Sequence, residues 1–230
     1  MSTLWVDIGG TSIKLLVIDE QGEPVSDRKS QPTPSPANPE AVIKLIHYMA
    51  EIMPLHQRIS VGFPGIVRNG VAYNAPNLGD DRWRGVRVDE RLAEILERPV
   101  RVLNDADLQG LGVVQGEGVE MVVTLGTGMG TALFTGGRLV PNLELGHHPF
   151  RDGKTYEDLV RDSELKRIGP AEWTARVLDA IGQIEPIFNY DVLHVGGGNT
   201  RHLQAPLPAN ARLFSLEDTV RGALKLWQDA

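Results

Sequence analysis

Two hydrophobic periods alternate along this chain, and their order repeats. Near the N-terminus the runs TLWVDI (residues 3–8) and IKLLVID (13–19) are dense in β-branched and aliphatic residues. GGTS joins them, so together they predict a β-hairpin. A third strand is expected around Pro24 to Lys29. QPTPSPANP (31–39) is too rich in proline for either regular element and predicts an extended connector. From Pro39 the spacing changes. Val42, Leu45, Ile46, Met49, Ile52 and Met53 recur along one helical face, with proline in the first turn. RISVGFPG (58–65) then predicts a strand that breaks at Pro64-Gly65. Val88, Leu92, Ile95 and Leu96 mark a second helix. PVRVLNDAD (99–107) reads as a strand with a polar end, followed by a short helix from about Ala106.

The second half repeats this grammar. VEMVVTLG (119–126), GTALFT (130–135) and RLV (138–140) predict two or three strands. TYEDLVRDSELKRI (155–168) and PAEWTARVLDAIGQIEPIF (170–188) predict helices, and YDVLHVGGGN (190–199) a strand ending in glycines. SLEDTVRGALKLWQ (215–228) predicts a closing helix, with Ser215 and Asp218 spaced as a capping box. The expectation is therefore an α/β protein of two similar lobes, 1–103 and 104–230. The last helix, about 216–228, has the option of packing back on the first lobe.

Composition narrows the class without naming it. The 230 residues carry a net charge of −7 and a pI near 5.4, which argues against broad binding to nucleic acid or an anionic membrane. There is no cysteine, so disulfides and thiolate metal sites are excluded. MSTLWVDIGG lacks the basic start and apolar run of a secretory signal, and no stretch approaches the ~20 apolar residues of a membrane span. A cytoplasmic protein is expected.

The candidate chemistry begins with two glycine clusters, VDIGGTSIK (6–14) and VVTLGTGMGT (122–131). Phosphate binding needs backbone N–H groups directed into a small volume, which glycine permits by leaving out the Cβ. Thr11 and Thr127 add hydroxyls and Lys14 a positive charge. Asp7 suits a Mg²⁺ held through water, because that ion keeps several waters. Either cluster alone is an ordinary hairpin turn. Two in equivalent places suggest a grip on a polyphosphate chain. Neither matches the P-loop or dinucleotide fingerprints. Gly196-Gly197-Gly198 ends a strand, where a nucleoside can approach or the chain can simply turn. In LNDAD (103–107), Asp105 stands at a strand-to-helix junction. It is either a proton acceptor for an alcohol, with Asn104 beside it, or a helix cap like Asp107. Glu144 and His147 in NLELGHHPF have the spacing to bracket vicinal hydroxyls, while His148 reads as structural. Glu157 falls in the first turn of a helix, where a carboxylate suits the dipole. Arg82, Arg84 and Arg87 surround Trp83 in a basic patch that reads as a solvated loop, with phosphate guidance as the alternative.

Taken in order, VDIGGTSIK, VGFPGIV, LNDAD, VVTLGTGMGTALF, LELGHHPF and VGGGN resemble the ROK sugar kinases of the actin–hexokinase–Hsp70 superfamily. The likeness is closest to the polyphosphate- and ATP-dependent glucokinases, which share the proline-rich connector and a segment like NLGDDRWRG. The resemblance implies two ribonuclease-H-like lobes around a central cleft, and transfer of a terminal phosphoryl group to the 6-hydroxyl of a hexose, glucose first. It implies Asp105 as catalytic base, with Pro64, Gly65, Asn104, Glu144, His147 and Glu157 on the sugar. Asp7, Gly9, Gly10, Thr11 and Lys14 correspond to the first phosphate loop, Thr127 and Gly128 to the second, and Gly197 and Gly198 to an adenosine contact. Mg²⁺ with ATP or polyphosphate is expected, and a homodimer. The cysteine-rich zinc motif of many members is absent, so no zinc is expected. Without an N-terminal helix-turn-helix, the repressor branch is not expected. The shortened C-terminal region keeps an inactive sugar-binding relative in view, and the shared phosphate loops an actin-like ATPase, which would have no use for LND and ELGH.

Overall fold

The structure is a computed structural model that describes residues 1–79 and 81–228; Asp80, inside NLGDDRWRG, lies outside the described residues. The first half runs β1 (Thr3–Ile8), β2 (Ser12–Ile18), β3 (Lys29–Pro32), α1 (Pro39–Glu51), β4 (Arg58–Phe63), the short pair β5 (Val67–Arg68) and β6 (Val71–Ala72), α2 (Val88–Leu96), β7 (Val100–Asn104) and α3 (Asp105–Val113). The second runs β8 (Val119–Leu125), β9 (Met129–Thr135), β10 (Arg138–Val140), β11 (Pro149–Arg151), β12 (Lys154–Thr155), α4 (Tyr156–Val160), α5 (Asp162–Ile168), α6 (Pro170–Phe188), β13 (Val192–Gly196), β14 (Ala211–Leu213), α7 (Leu216–Val220) and α8 (Gly222–Lys225).

Each half builds a five-stranded sheet by the same rule. The first has the order β3-β2-β1-β4-β7 and the second β10-β9-β8-β13-β14. In both, a three-stranded antiparallel meander supplies the central strand, and two strands parallel to that strand complete the sheet. This is the ribonuclease-H-like arrangement that the family resemblance implies. The central strands are buried on both faces, as parallel pairing requires: all of β1 is buried. α1 covers the first sheet with Val42, Ile43, Ile46 and Met49, each side chain worth about 1.5–3 kcal/mol when fully buried. Asn38 starts that helix by accepting the Ala41 amide at 2.9 Å. Such a cap contributes about 1 kcal/mol.

The chain divides into two compact units, Met1–Gly112 with Thr219–Ala230, and Val113–Asp218. The expected boundary at 103 therefore moves to the far end of α3, and Asn104 and Asp105 belong to the first unit. The reason is packing. α3 starts directly where β7 ends, and Leu108 lies against Gly62 of β4. Gly222 fits so closely under the Leu108 carbonyl that a methyl group there would sit 2.0 Å from its oxygen. The single closing helix is two short ones, α7 and α8, and the capping box at Ser215 and Asp218 is present. The tail beyond Thr219 is fastened by polar contacts. The Trp227 indole N–H donates to Ser60 Oγ (2.8 Å), Ser60 donates to the Ala223 carbonyl (2.7 Å), and Arg101 donates to the Leu226 carbonyl (2.7 Å).

Three further expectations shift. The third strand lies at Lys29–Pro32 rather than Pro24 to Lys29, because Asp19 accepts the amides of Gln21 and Glu23 and ties residues 19–23 into a turn. The helix over 155–168 breaks at Arg161, whose extended backbone separates α4 from α5. Trp83 is fully buried rather than part of a solvated loop: its indole donates to the Ala37 carbonyl at 2.8 Å, and its ring meets Phe63 edge-on at 5.0 Å. In the second unit a buried pair ties β8 to β13. Glu120 meets His194 Nε2 at 2.8 Å and accepts the amides of Gln115 and Gly116. Burial alone would push the Glu120 carboxyl up, but those amides and the imidazole outweigh it and hold it below the ordinary value.

Candidate functional site

Parallel strands point their carboxyl ends the same way, and ligands of open α/β sheets bind outside those ends. In the first unit β1, β4 and β7 are mutually parallel, with Asp7 opposite Gly62 and Phe63 opposite Asn104. Three candidate segments therefore emerge at one edge: Asp7 to Thr11, Pro64-Gly65, and Asn104-Asp105. The first loop is the β1–β2 turn. The Gly9 amide donates to the Ser12 carbonyl at 3.0 Å, closing the hairpin instead of facing outward. Asp7 pairs across the hairpin with Lys14, and Lys14 Nζ lies 2.9 Å from Asp7 Oδ2. The lysine charge thus leans on the carboxylate that was expected to hold Mg²⁺. Among the described residues no trio of histidine, aspartate or glutamate is gathered to cage a metal.

Asn104 settles which residue caps α3. Its Oδ1 accepts the amides of Ala106 (2.8 Å) and Asp107 (3.1 Å), so the asparagine does the work of an N-cap. Asp105 Oδ1 shares the Ala106 amide at 2.8 Å, while the Asp107 amide goes to Asn104. Asn104 Nδ2 also donates to the Gly65 carbonyl at 3.3 Å, linking the ends of β4 and β7.

The second unit repeats the edge with different chemistry. The turn at Gly126–Gly128 between β8 and β9 is held by several neighbours: the Asp162 amide (3.1 Å) and Asn199 Nδ2 (3.0 Å) both donate to the Gly126 carbonyl. Glu157 Oε2 accepts the Met129 amide at 2.9 Å, so this carboxylate sits directly against the loop. Gly197 adopts φ +93°, and a methyl group there would lie 2.3 Å from the Leu125 carbonyl oxygen. Only glycine tolerates that turn, which lays the third glycine run, Gly197 and Gly198 included, beside the second loop. Thr127 is exposed at the tip.

Glu144 and His147 share this unit. A 3-10 turn over Leu145–His147 brings His147 Nε2 to 3.5 Å from Glu144 Oε2. Gly146 allows the segment to lie on the start of β9, since a methyl group there would be 2.3 Å from the Met129 carbonyl oxygen. Burial pushes the Glu144 carboxyl above its ordinary value; His147 opposes the shift and Glu157 adds to it. His148 is exposed, with Nδ1 2.8 Å from the Pro149 carbonyl. Arg87 is paired with Asp89 and Glu90, and so is not a free phosphate guide.

Each unit thus gathers a set of the candidate residues: Asp7, Gly9, Gly10, Thr11, Lys14, Pro64, Gly65, Asn104 and Asp105 in the first, Thr127, Gly128, Glu144, His147, Glu157, Gly197 and Gly198 in the second. Sequence reasoning passed over Thr33, whose hydroxyl donates to the Gly9 carbonyl and whose amide donates to the Thr11 carbonyl at 3.0 Å. The proline-rich connector therefore braces the first loop. Its only sequence signal was the stiffness of its prolines.

Two α/β units of this design, each with a glycine hairpin at the carboxyl edge of its sheet, define the actin-like ATPase fold. The chain belongs to the ROK family, whose profile matches residues 3–155. It is 33% identical to the polyphosphate glucokinase of Mycobacterium leprae over 88% of this chain and 65% of that one. It is 32% identical to the polyphosphate glucokinase of Mycobacterium tuberculosis over 88% of this chain and 80% of that one. Among solved structures, the inorganic polyphosphate/ATP-glucomannokinase of Arthrobacter sp. strain KM superposes with a TM-score of 0.88 at 30% identity, covering 100% of this chain and 99% of that one. No helix among the described residues is long and apolar enough to cross a membrane.

Proposed function

We propose that this protein transfers a terminal phosphoryl group from polyphosphate or ATP to the 6-hydroxyl of a hexose, with glucose as the leading acceptor. The observation that carries the reading is the shared edge of the first sheet, where the Gly9–Thr11 loop and the Asn104-Asp105 pair stand at the ends of parallel strands. Phosphoryl transfer asks a protein chiefly for positioning and for charge neutralisation. In this reading Asp105 takes the proton from the attacking hydroxyl. Asn104, Pro64, Gly65, Glu144, His147 and Glu157 are the proposed sugar ligands. Lys14 and the two glycine loops receive donor phosphates, and Gly197-Gly198 an adenosine when ATP is the donor. Asp7 suits a Mg²⁺ that arrives with the donor, since one carboxylate plus water and phosphate oxygens satisfies that ion. The ion would neutralise phosphate charge. A cytoplasmic location and a homodimer belong to the same proposal. The relatives' names support the class of reaction, and retention of Asp105 with both loops speaks against an inactive sugar binder.

The test is a panel of glucose, mannose and N-acetylhexosamines against ATP and polyphosphate with Mg²⁺, read by product mass. Glucose 6-phosphate from at least one donor is expected. Sugar binding by calorimetry with no product from any donor would sink the kinase assignment.

Glu144 adds a pH signature. As an acceptor for sugar hydroxyls it works ionised, and burial has raised its pKa. Acidification therefore removes the carboxylate at a pH above the ordinary glutamate range near ~4.3. Below that folded-state pKa, glucose affinity should fall about tenfold per pH unit. Stability runs the other way: the protonated group's contribution is complete below the unfolded pKa and is lost as pH rises through the folded one. Calorimetric titrations of wild type and Glu144→Gln across pH check this. Equal slopes in the two proteins would remove Glu144 from the sugar.

A further inference from the structure

The segment from Tyr73 to Leu78 has no role in the reading above, yet it touches two parts of the candidate site. At one end, Asn74 Oδ1 accepts the Ile66 amide at 2.7 Å and the Tyr73 amide donates to the Ile66 carbonyl at 2.9 Å. The approach is so close that a methyl group on Gly65 would lie 2.4 Å from the Asn74 carbonyl oxygen. At the other end, a methyl group on Gly10 would lie 2.6 Å from the Asn77 carbonyl oxygen. One short stretch of main chain therefore abuts both the sugar turn and the first phosphate loop.

The stretch is built to be stiff. Pro76 opens a 3-10 turn over Pro76–Leu78 and fixes its φ, while Ala75 and Leu78 anchor it in the core on either side. Beyond it, buried Trp83 is pinned to the Ala37 carbonyl and packs on Phe63, the residue before Pro64. Asn104 closes the circuit through the Gly65 carbonyl. Contacts between two main-chain segments cannot be relieved by a rotamer change, so a displacement at either glycine must move the turn or be resisted by it.

We propose that Asn74–Asn77 is a strut that sets the spacing between the Pro64-Gly65 turn and the Gly9–Thr11 loop, with Asn74 and Asn77 as positioning residues. The two bare glycines are the seats on which it rests. Occupancy of the phosphate loop thereby alters sugar affinity within the first unit, and the reverse holds by reciprocity. This rests on the kinase reading, since it takes the turn as a sugar contact and the loop as a donor contact.

Two measurements test it on the whole chain. Gly10→Ala alters the donor loop, yet calorimetry with glucose alone should show its Kd raised about fivefold or more. Pro76→Gly loosens the turn at an exposed position and leaves both seats intact. With tripolyphosphate as probe, the unaltered protein should bind glucose with a Kd changed about fivefold by the anion, and Pro76→Gly should show that change reduced toward none. An unchanged glucose Kd in folded Gly10→Ala overturns the strut. So does a tripolyphosphate effect in Pro76→Gly equal to that of the unaltered protein, a result available even where Gly10→Ala fails to fold. A protein that phosphorylates glucose but gives either of those results loses only the strut. One that neither binds nor phosphorylates glucose loses the kinase reading and the strut together.

Discussion

Alanine at position 105 is expected to lower kcat for glucose phosphorylation by about 10²- to 10⁴-fold, the span usual for loss of a general base. Glucose affinity should change by no more than a few fold, because the sugar would keep its other proposed ligands. The separation is possible because of the way α3 begins. Asn104, not Asp105, accepts both the Ala106 and the Asp107 amides. Removing the aspartate therefore leaves the helix its asparagine cap, and the melting temperature should fall less than in Asn104→Ala. Asn104→Ala is the contrasting variant. It deletes the cap, at about 1 kcal/mol, and the link to the Gly65 carbonyl with it. Asp105→Asn completes the set, since it keeps the volume but cannot accept a proton at neutral pH. Single-turnover rates and calorimetry on the three variants separate proton transfer from structure. Near-normal kcat in Asp105→Ala would remove the base from the proposal.

The second large effect is expected at Gly128. A methyl group there would lie 2.1 Å from Glu157 Oε2 and 2.8 Å from its Cδ. The carboxylate would have to leave the Met129 amide, which it now meets at 2.9 Å. Overpacking of this kind costs roughly 1–3 kcal/mol, and each ~1.4 kcal/mol of transition-state stabilisation is tenfold in rate. Gly128→Ala should thus lose about ten- to a hundredfold in kcat/KM. The loss should appear against the sugar as well as the donor, since the loop and a proposed sugar ligand are displaced together. Gly126→Ala is the control in the same turn. Nothing lies within 4 Å of its added methyl group, so its effect should be much smaller. Equal kinetics for the two variants would show that the Glu157 contact carries no function.

Glu157 also shows where sequence reading stopped. Its place in the first turn of a helix suggested a favourable dipole, and that much follows from local spacing. Its bond to the amide of Met129 joins α4 to a loop far away in the chain, and no local pattern encodes that partner. The same holds for Asn104, which the sequence placed beside the sugar while it gave the cap to Asp105 or Asp107. An asparagine and an aspartate in succession offer similar acceptors, and only the backbone path out of β7 decides that Asn104 takes the Asp107 amide while the two share that of Ala106. Trp83 failed for a related reason. Three arginines around it made the segment look solvated, while the indole itself is buried against Phe63 and bonded to the Ala37 carbonyl.

The sequence by itself determined the repeated strand–helix grammar, most strand and helix positions, the glycine loops and the family. The elements and loops depend on side-chain period and on glycine or proline at turns, which act over a few residues, and the family on the likeness of short motifs in order. Only the tertiary structure decided that Asn104 and Asp105 belong to the first unit, that Asp7 holds Lys14, and that Asn74–Asn77 spans two parts of the candidate site. Each of these depends on which distant main-chain segments meet at van der Waals distance. That is set by how whole sheets and helices close on their cores, a property that no short stretch of residues carries.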